Sequence, residues 1–404
     1  MKRWKKIVLL LAGLILLSQL PFAYRRYRLG QLSAAIQQLN SQRSAPQSED
    51  AYTDYRGCIH VHSWLGGHST GSFEELIGAA QSNGLHFVVM TEHPAKDFNT
   101  AEMTLQGMHG GVLFLSGSEV TTSTGVDRLL VVPGDGETAP ASQPTQDVIN
   151  REQARGRLSF VAYPQQFRSW EATGYSGIEV YNLYTNAREI SYLLMFFDGL
   201  WSYGSYPELL FARFYERPAR ALAKWDEQVL AKKTRLVALA GNDAHSNVGL
   251  SLGDAAGKKF LQIKLDPYER SFRIVRNHVL VERDQPLTAE TLLTALREGH
   301  SYIAFDLFCD ATGFTYTAEN RVERKLMGDE ISVEDGVRLT VSSPVSSRFV
   351  LIKDGQRVAE QQQTMRHEFF VNQRGAYRVE VYLDALGAAF RDRPWIISNP
   401  VYVR

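Results

Sequence analysis

Short apolar runs recur along the first three quarters of the chain, and most of them end in polar residues. Examples are CIHVH (58–62), LHFVVMTEH (85–93), GGVLFLSGSE (110–119) and TRLVALAGNDAH (234–245), and the helical pattern FEELIGAAQSNG (73–84) separates the first two. Short apolar runs that alternate with helices indicate a mainly parallel α/β sheet or barrel. In such folds, side chains that carry chemistry collect at the carboxyl ends of the strands.

Length and composition limit the class of protein. A chain of 404 residues fits a large domain with a smaller one, and 44% hydrophobic with 22% charged residues is typical of a folded protein. Lys plus Arg and Asp plus Glu both number 44, and no basic tract lies outside the N-terminus, so no nucleic-acid partner is expected. Two cysteines, Cys58 and Cys309, exclude a disulfide scaffold and a multi-cysteine zinc site.

The N-terminus predicts a membrane segment. Eleven apolar residues, 7–17, follow the basic MKRWKK, and the apolar stretch continues to Ala23 before the basic YRRYR. Because Pro21 would occupy the minus-three position of a cleavage after Ala23, we favour an uncleaved single-pass anchor in the cell membrane; secretion after signal cleavage is the alternative. Four basic residues before the run against three after it place the bulk of the chain outside the cytoplasm, although a cytoplasmic bulk stays open.

These patterns divide the chain into four parts. The predicted parts are a membrane segment (1–23), a linker without a core of its own (24–50), an α/β domain (51–309) and an all-β, sandwich-like domain (310–404). The last part alternates apolar and polar residues, and Asp354-Gly355 is a hairpin signal. The aromatic-rich helical stretch 186–231 is interpreted as core, in preference to a lid or an element that touches a membrane.

Histidines and carboxylates follow several of the predicted strands. His60 and His62 point to the same face of an extended strand, and Asp243 and His245 repeat this spacing after another strand. A paired set of strand histidines can also simply form hydrogen bonds. Imidazole with carboxylate and without thiolate suits zinc, manganese or iron, so the combined pattern predicts a metal site.

The motifs in combination resemble those of the polymerase and histidinol phosphatase (PHP) superfamily. They are H-x-H with a third histidine at 68, T-E-H at 91–93, G-S-E at 117–119 and N-D-A-H at 242–245. The resemblance covers residues 55–305. It implies a distorted (β/α)7 barrel with a metal cluster at its C-terminal mouth, and metal-dependent hydrolysis, usually of phosphoesters.

The resemblance also implies a ligand set. The implied ligands are His60, His62, Glu119 and Asp243 for one metal, and His68, His93 and His245 for a second. Among them, Glu119, His93 and Asp243 are the implied catalytic residues. The family's fullest sites hold a middle metal through the glutamate and two further histidines, but the matching positions here carry Asp127 and Arg128, and Tyr163. Two divalent ions are therefore expected rather than three.

The implied function is a membrane-anchored, metal-dependent hydrolase of a small phosphoester, in which two ions (zinc, manganese or iron) activate water. Lys96, Arg128 and Arg168 are candidates to bind the substrate phosphate, and an ordinary surface cation is the alternative for each. Glu92 is a candidate to orient the histidines, and Glu179 and Asn182 are candidates to line the pocket. Two alternatives stay open: an ester, amide or carbamate hydrolase, and a degenerate, non-catalytic binding module. No oligomeric state is predicted.

Overall fold

The structure is a computed structural model that describes most of the chain. The described residues are 3–44, 51–134, 142–187, 192–210, 212, 215–232, 234–247, 249–253, 259–264 and 266–404. Their helices are α1 (Arg3–Ser41), α2 (Phe73–Ser82), α3 (Thr100–Met103), α4 (Thr145–Ala154), α5 (Leu183–Ala187), α6 (Tyr192–Ser202), α7 (Ala219–Lys232), α8 (Tyr268–Ile274) and α9 (Ala289–Glu298). Their strands are β1 (Tyr52–Val61), β2 (Phe87–Met90), β3 (Gly107–His109), β4 (Val112–Leu115), β5 (Ser118–Thr121), β6 (Arg128–Val132), β7 (Leu158–Ala162), β8 (Gly177–Asn182), β9 (Val237–Gly241), β10 (Gly249–Gly253), β11 (Lys259–Lys264), β12 (Arg276–Glu282), β13 (Ser301–Ala304), β14 (Thr315–Glu319), β15 (Arg324–Leu326), β16 (Glu330–Ile331), β17 (Val337–Lys353), β18 (Gln356–Val371), β19 (Gly375–Tyr382), β20 (Ile396–Ser398) and β21 (Val401–Val403).

Two sheets of the α/β part share one core. In the first, β1, β2 and β4 are parallel neighbours, with β12 antiparallel beside β1. In the second, the order is β5-β6-β7-β8-β9. Inward-facing side chains from both sheets, including Ile59, Val89, Leu130, Phe160 and Leu239, form one buried cluster. A mixed α/β fold is thus confirmed, and the closed seven-stranded barrel stays a prediction.

Part of the second sheet differs from the mainly parallel arrangement that the sequence predicts. The strands β7, β8 and β9 are parallel, whereas β5, β6 and β7 pair antiparallel. For β5 and β6 the reason is local, because only residues 122–127 separate these two strands. A parallel crossover needs about a dozen residues or more, so this short connection can only close a hairpin.

Two isolated parallel bridges bring strand ends of the two sheets together. Val61, at the end of β1, pairs with Ala244 after β9, and Glu92 after β2 pairs with Ser118 in β5. These bridges place the segments that carry the candidate ligands side by side.

The C-terminal strands continue the first sheet. The long strand β17 pairs with β14, β18 and β19, and β20 joins β19 to β13, which in turn pairs with β12. Pairing covers the edge of β13, whose backbone groups would otherwise be open to solvent. The C-terminal part is rich in β-strands, as expected, but it is joined to the α/β part by hydrogen bonds, and the domain boundaries stay predictions.

The helix α1 extends well beyond the apolar N-terminal run. By length and composition its first part is a candidate membrane span, a property that a signal sequence shares. Its second part covers residues 24–41, where the sequence predicts a linker. There Leu39 is 4% exposed, and Leu29, Leu32 and Ile36 pack against the same core. Spacings of three and four residues put these side chains on one helix face, which explains the difference. Residues 45–50 of the predicted linker lie outside the described residues.

The aromatic-rich stretch divides into two helices with different surroundings. In α7, Leu222 and Trp225 are buried, as the core interpretation predicts. In α6, Phe196 and Leu200 are exposed, and the helix packs against α1. The core interpretation is therefore wrong for α6.

Candidate metal centre

The candidate ligands converge because they follow neighbouring strands. His60 lies at the end of β1 and His62 just beyond it, His93 follows β2, and Asp243 and His245 follow β9. The amide of His62 also donates to the carbonyl of Ala244 at 3.1 Å, and the amide of Ala244 donates to the carbonyl of His60 at 3.3 Å. The two strand ends are thus bonded in register at the centre.

Glu119 reaches the centre differently from the sequence expectation. It lies at the second residue of β5 instead of after a strand. The hydrogen bond from its amide to the carbonyl of Glu92, 3.2 Å long, holds it beside the end of β2.

Three residues at the centre have a positive backbone φ, which is unusual for residues other than glycine. His60 has φ +66°, Tyr163 +49° and Asp243 +47°. At His60 the pairing of β1 with β2 shifts register, so the strand is not extended there as the H-x-H reasoning assumes. The rings of His60 and His62 nevertheless lie 5.1 Å apart. Such unusual conformations cost about 1–3 kcal/mol each and cluster at functional sites.

His62 lies at the middle of the cluster. Its ring stacks between those of His93 and His245, with centroids 4.7 Å and 4.4 Å away. Burial lowers the pKa of His62 well below its usual value, and the neighbouring imidazoles add to this effect, so the ring is neutral. Neither of its nitrogens has a hydrogen-bond partner among the described residues. Buried polar atoms rarely lack a hydrogen-bond partner, and a neutral imidazole is the form that binds metal.

His60 is held by carboxylates on both sides. Its Nδ1 lies 2.6 Å from Glu179 Oε1, and its Nε2 lies 3.2 Å from Glu119 Oε2. Burial alone would lower the pKa of His60, but Glu179, Asp243 and Glu119 raise it well above the usual value. A carboxylate on one ring nitrogen is the arrangement that orients a metal-binding histidine. Glu179 is absent from the predicted ligands, and its signal in the sequence is its position near the end of the run GIEVYN.

Asp243 offers one free oxygen. Its Oδ2 accepts the Tyr163 hydroxyl at 2.8 Å and the Asn182 amide at 3.2 Å, whereas its Oδ1 has no hydrogen-bond partner among the described residues. Burial and the nearby carboxylates raise the pKa of Tyr163, so its phenol stays protonated and acts as a donor. Tyr163 therefore fixes the orientation of Asp243.

Glu119 lies between the histidines and a guanidinium. Its Oε2 is 3.2 Å from His60, 3.4 Å from His62 and 3.6 Å from His93, and Arg128 Nε approaches its Oε1 to 3.3 Å. Burial alone would raise the pKa of Glu119, but His60, His93 and Arg128 lower it below the usual value. Glu119 is therefore a carboxylate that faces three rings.

Two groups of side chains have ligand atoms within 4.8 Å of one another. They are His62, His93 and His245, and His60, His62 and Glu119. Asp243 borders both groups, since its Oδ1 is 3.5 Å from His60 and 3.4 Å from His245. His68 is exposed and lies outside them, with its ring 5.1 Å from that of His93. The structure thus collects six of the seven implied ligands tightly, and the division into two metal sites stays a prediction.

The other predicted residues lie further out. Lys96 and Arg168 are exposed, and no described contact links their side chains to the cluster. Of the three predicted phosphate-binding cations, Arg128 alone contacts a candidate ligand among the described residues. Asp127 accepts the Arg168 amide at 2.7 Å and the Ser169 hydroxyl at 2.6 Å, so its carboxylate supports a loop instead of the cluster.

Glu92 holds the segment after His62 by hydrogen bonds. It accepts the Ser63 amide at 3.0 Å, the Ser63 hydroxyl at 2.6 Å and the Thr104 hydroxyl at 2.9 Å. Glu92 thus positions the backbone next to His62.

The fold and this cluster define an α/β protein with a buried set of imidazoles and carboxylates that could hold divalent metal ions. No family model matches the chain, and no curated protein matches it. Among solved structures, the chain is similar to a two-domain protein from Bacteroides vulgatus that contains a predicted PHP-like metal-dependent phosphoesterase. The identity is 15% and the TM-score 0.40, and the match covers 89% of this chain and 98% of that one. A likeness this weak carries no argument about fold or function.

Proposed function

We propose that the chain is a membrane-anchored, metal-dependent hydrolase that cleaves small phosphoesters. The observation that carries this proposal is the environment of His62. A buried, neutral imidazole with two unpartnered nitrogens lies among further imidazoles and carboxylates. Leaving such atoms without partners costs about 1–3 kcal/mol each, and a bound cation would remove part of that cost.

The donor set fits two divalent cations. One ring nitrogen binds one ion. If His62 binds the first ion together with His60, Glu119 and Asp243, the remaining histidines are left to bind the second ion. Those histidines are His68, His93 and His245. Imidazole and carboxylate donors suit zinc, manganese or iron. When bound, such cations supply a Lewis acid that activates water and polarises a phosphoryl or carbonyl oxygen.

The chain's own residues orient this centre. Glu179 accepts from Nδ1 of His60, which directs Nε2 of that ring toward Glu119. Tyr163 and Asn182 hold Oδ2 of Asp243, which leaves Oδ1 available as a ligand. Arg128 neutralises part of the charge of Glu119, and at 30% side-chain exposure it can also contact an anionic substrate.

The same contacts support two ions rather than three. A third ion would need donors near Glu119 where the family places two histidines. Arg128 occupies one of these positions and brings a positive charge to Oε1 of Glu119. Tyr163 occupies the other, and its phenol is protonated and donates to Asp243. We therefore expect no more than two tightly held equivalents.

The proposal is tested on the full chain purified in detergent. After loading with excess metal and desalting, elemental analysis should find up to two equivalents, and the loaded protein should hydrolyse members of a phosphoester panel. His62→Ala should lose metal and turnover. His367→Ala, the matched control on strand β18, should keep both.

Three other outcomes would change the assignment. Turnover of carboxylic esters, amides or carbamates without phosphoesters would favour the alternative hydrolase. Full biological activity of metal-free protein would favour a non-catalytic module. Three tightly held equivalents would show that the middle site is intact.

We also propose that the anchor is uncleaved and that the catalytic part lies outside the cytoplasm. The uncleaved anchor is supported by the continuity of α1, whose apolar part and core-packed part form one helix. The orientation rests on the four basic residues before the apolar run against three after it. Mass analysis of membrane-bound protein should give the intact chain. A mass that lacks the first 23 residues would establish cleavage.

A further inference from the structure

The helix α6 lies against α1 where the apolar part of α1 gives way to its basic part. The rings of Phe197 and Phe22 are 5.1 Å apart, and Arg25 pairs with Asp198 at 3.3 Å. The indole nitrogen of Trp201 donates to Gln19 at 3.0 Å. Together these contacts fix α6 at the level of residues 19–25 of α1.

That level coincides with a membrane boundary if α1 spans the bilayer. A helix rises about 1.5 Å per residue, so Trp4 and Tyr24 are separated by about 30 Å, the thickness of a bilayer's hydrocarbon core. Trp4, Tyr24 and Tyr27 are exposed. Exposed Trp and Tyr are typical of both membrane interfaces, and the three arginines of YRRYR follow the second one. The contacts with α6 therefore lie at the headgroup region.

The outward side of α6 is apolar. Phe196 is 56% exposed and Leu200 68%, and Leu194 and Trp201 are also exposed. The single charged residue of the helix, Asp198, is buried and faces Arg25. Exposed apolar patches on a protein surface mark contacts with a partner, and an apolar face beside basic residues suits a lipid interface.

We propose that α6 is a second membrane contact, which inserts Phe196, Leu200 and Trp201 among the lipid headgroups beside α1. This inference rests on the proposed anchoring by α1. The occupant of the apolar face is the bilayer itself. Arg26 supports the arrangement, since its guanidinium donates to the Trp201 carbonyl and to the Ser205 hydroxyl.

The contact also bears on the candidate metal centre, because the connection between β8 and α7, which contains α6, starts beside the centre. It follows Asn182, the last residue of β8, whose side chain donates to Asp243. Its next helix, α5, carries Tyr184, whose ring is 5.8 Å from that of His245. The helix α6 follows in the same connection. A membrane contact at α6 would thus lie in the same connection as Tyr184, next to the centre.

The test places a fluorescent label on α6 in the full chain reconstituted into bilayers. The test variant is Leu200→Cys. Leu14→Cys in the apolar part of α1 is the control for the bilayer interior, and Val322→Cys, at a position 91% exposed, is the control for water. The native Cys58 and Cys309 are buried, so the label attaches to the introduced thiol. Lipids that carry a nitroxide near the headgroup should quench the label at 200, lipids that carry it deep in the acyl chain should quench the label at 14, and neither lipid should quench the label at 322.

The outcomes separate this inference from the anchoring on which it rests. Quenching at 14 without quenching at 200 would overturn the α6 contact and keep the anchor. Quenching at neither position would overturn the anchor as well. Protection of position 200 from a water-soluble quencher, without quenching by lipid, would show that a second copy or another protein covers α6, and would also overturn the proposal.

Discussion

Replacing Glu179 by glutamine tests whether the centre is organised as its hydrogen bonds indicate. Glu179 is fully buried, and its Oε1 lies 2.6 Å from Nδ1 of His60. Its Oε2 accepts from Asn182 at 3.2 Å. Glutamine keeps the shape and one accepting oxygen but removes the charge that directs the ring. His60 is a candidate ligand and Glu179 is not, so the substitution changes the support and leaves every candidate ligand in place.

The expected effect is moderate. Loss of a partner that supports a metal ligand costs about 10–100-fold in metal affinity or activity. At about 1.4 kcal/mol per tenfold, this corresponds to about 1.4–2.8 kcal/mol. Glu179→Ala should cost more, because Nδ1 of His60 would be buried without an acceptor, which adds about 1–3 kcal/mol.

Metal affinity is measured by competition with a chelator, and turnover is measured on the same samples. Glu227→Gln is the matched control, since Glu227 is exposed on α7 and pairs only with Lys224 in the described contacts. Circular dichroism establishes that each variant is folded. A folded Glu179→Gln protein with wild-type affinity and turnover would refute the assignment of His60 as a ligand oriented by Glu179.

Two further predictions concern stability. A chain that lacks residues 1–23 should unfold at a higher temperature than one that lacks residues 1–50, because only the first keeps Leu39 on the core, where a buried leucine contributes about 1.5–3 kcal/mol; equal unfolding temperatures would contradict the packing of α1. At His278, burial alone would lower the pKa, but Asp54 and Asp306 raise it to about 10. Since the unfolded value is about 6.5, the stabilisation is complete below about pH 6.5 and is lost as the pH rises to about 10. His278→Gln should therefore flatten the pH dependence of the free energy of unfolding over this window in urea titrations, and an unchanged slope would count against the ion pairs.

Most residues of the candidate centre can be predicted from the sequence because they are polar residues at the ends of apolar runs. Apolar runs mark the strands, and polar residues at their ends must meet when the strands are neighbours. His62, His93 and Asp243 follow this rule and come together. His68 does not follow a strand directly, and in the structure it stays at the exposed margin of the cluster. Position relative to a strand end was thus the informative signal.

The supporting contacts could not be predicted in the same way. Glu179 and His60 are separated by 119 residues, and nothing local indicates that their side chains touch. His60 has a positive φ, so the chain is not extended there, although the prediction that His60 and His62 share a strand face assumes an extended strand. In the sequence, Arg128 and Tyr163 stand where the resemblance to the PHP superfamily would place histidines. Their contacts with Glu119 and Asp243 follow only from the folded arrangement.

The charges at the centre give a physical reason for the cluster of donors. Glu119, Glu179 and Asp243 are all buried within reach of His60. Burying a carboxylate without a compensating charge costs several kcal/mol. Arg128 compensates part of this negative charge, but His62, at the middle of the cluster, is neutral and contributes none. Divalent cations would supply the remaining positive charge and use the unpartnered atoms of His62 and Asp243 as ligands, so electrostatics and hydrogen bonding both favour a metal-binding role for this centre.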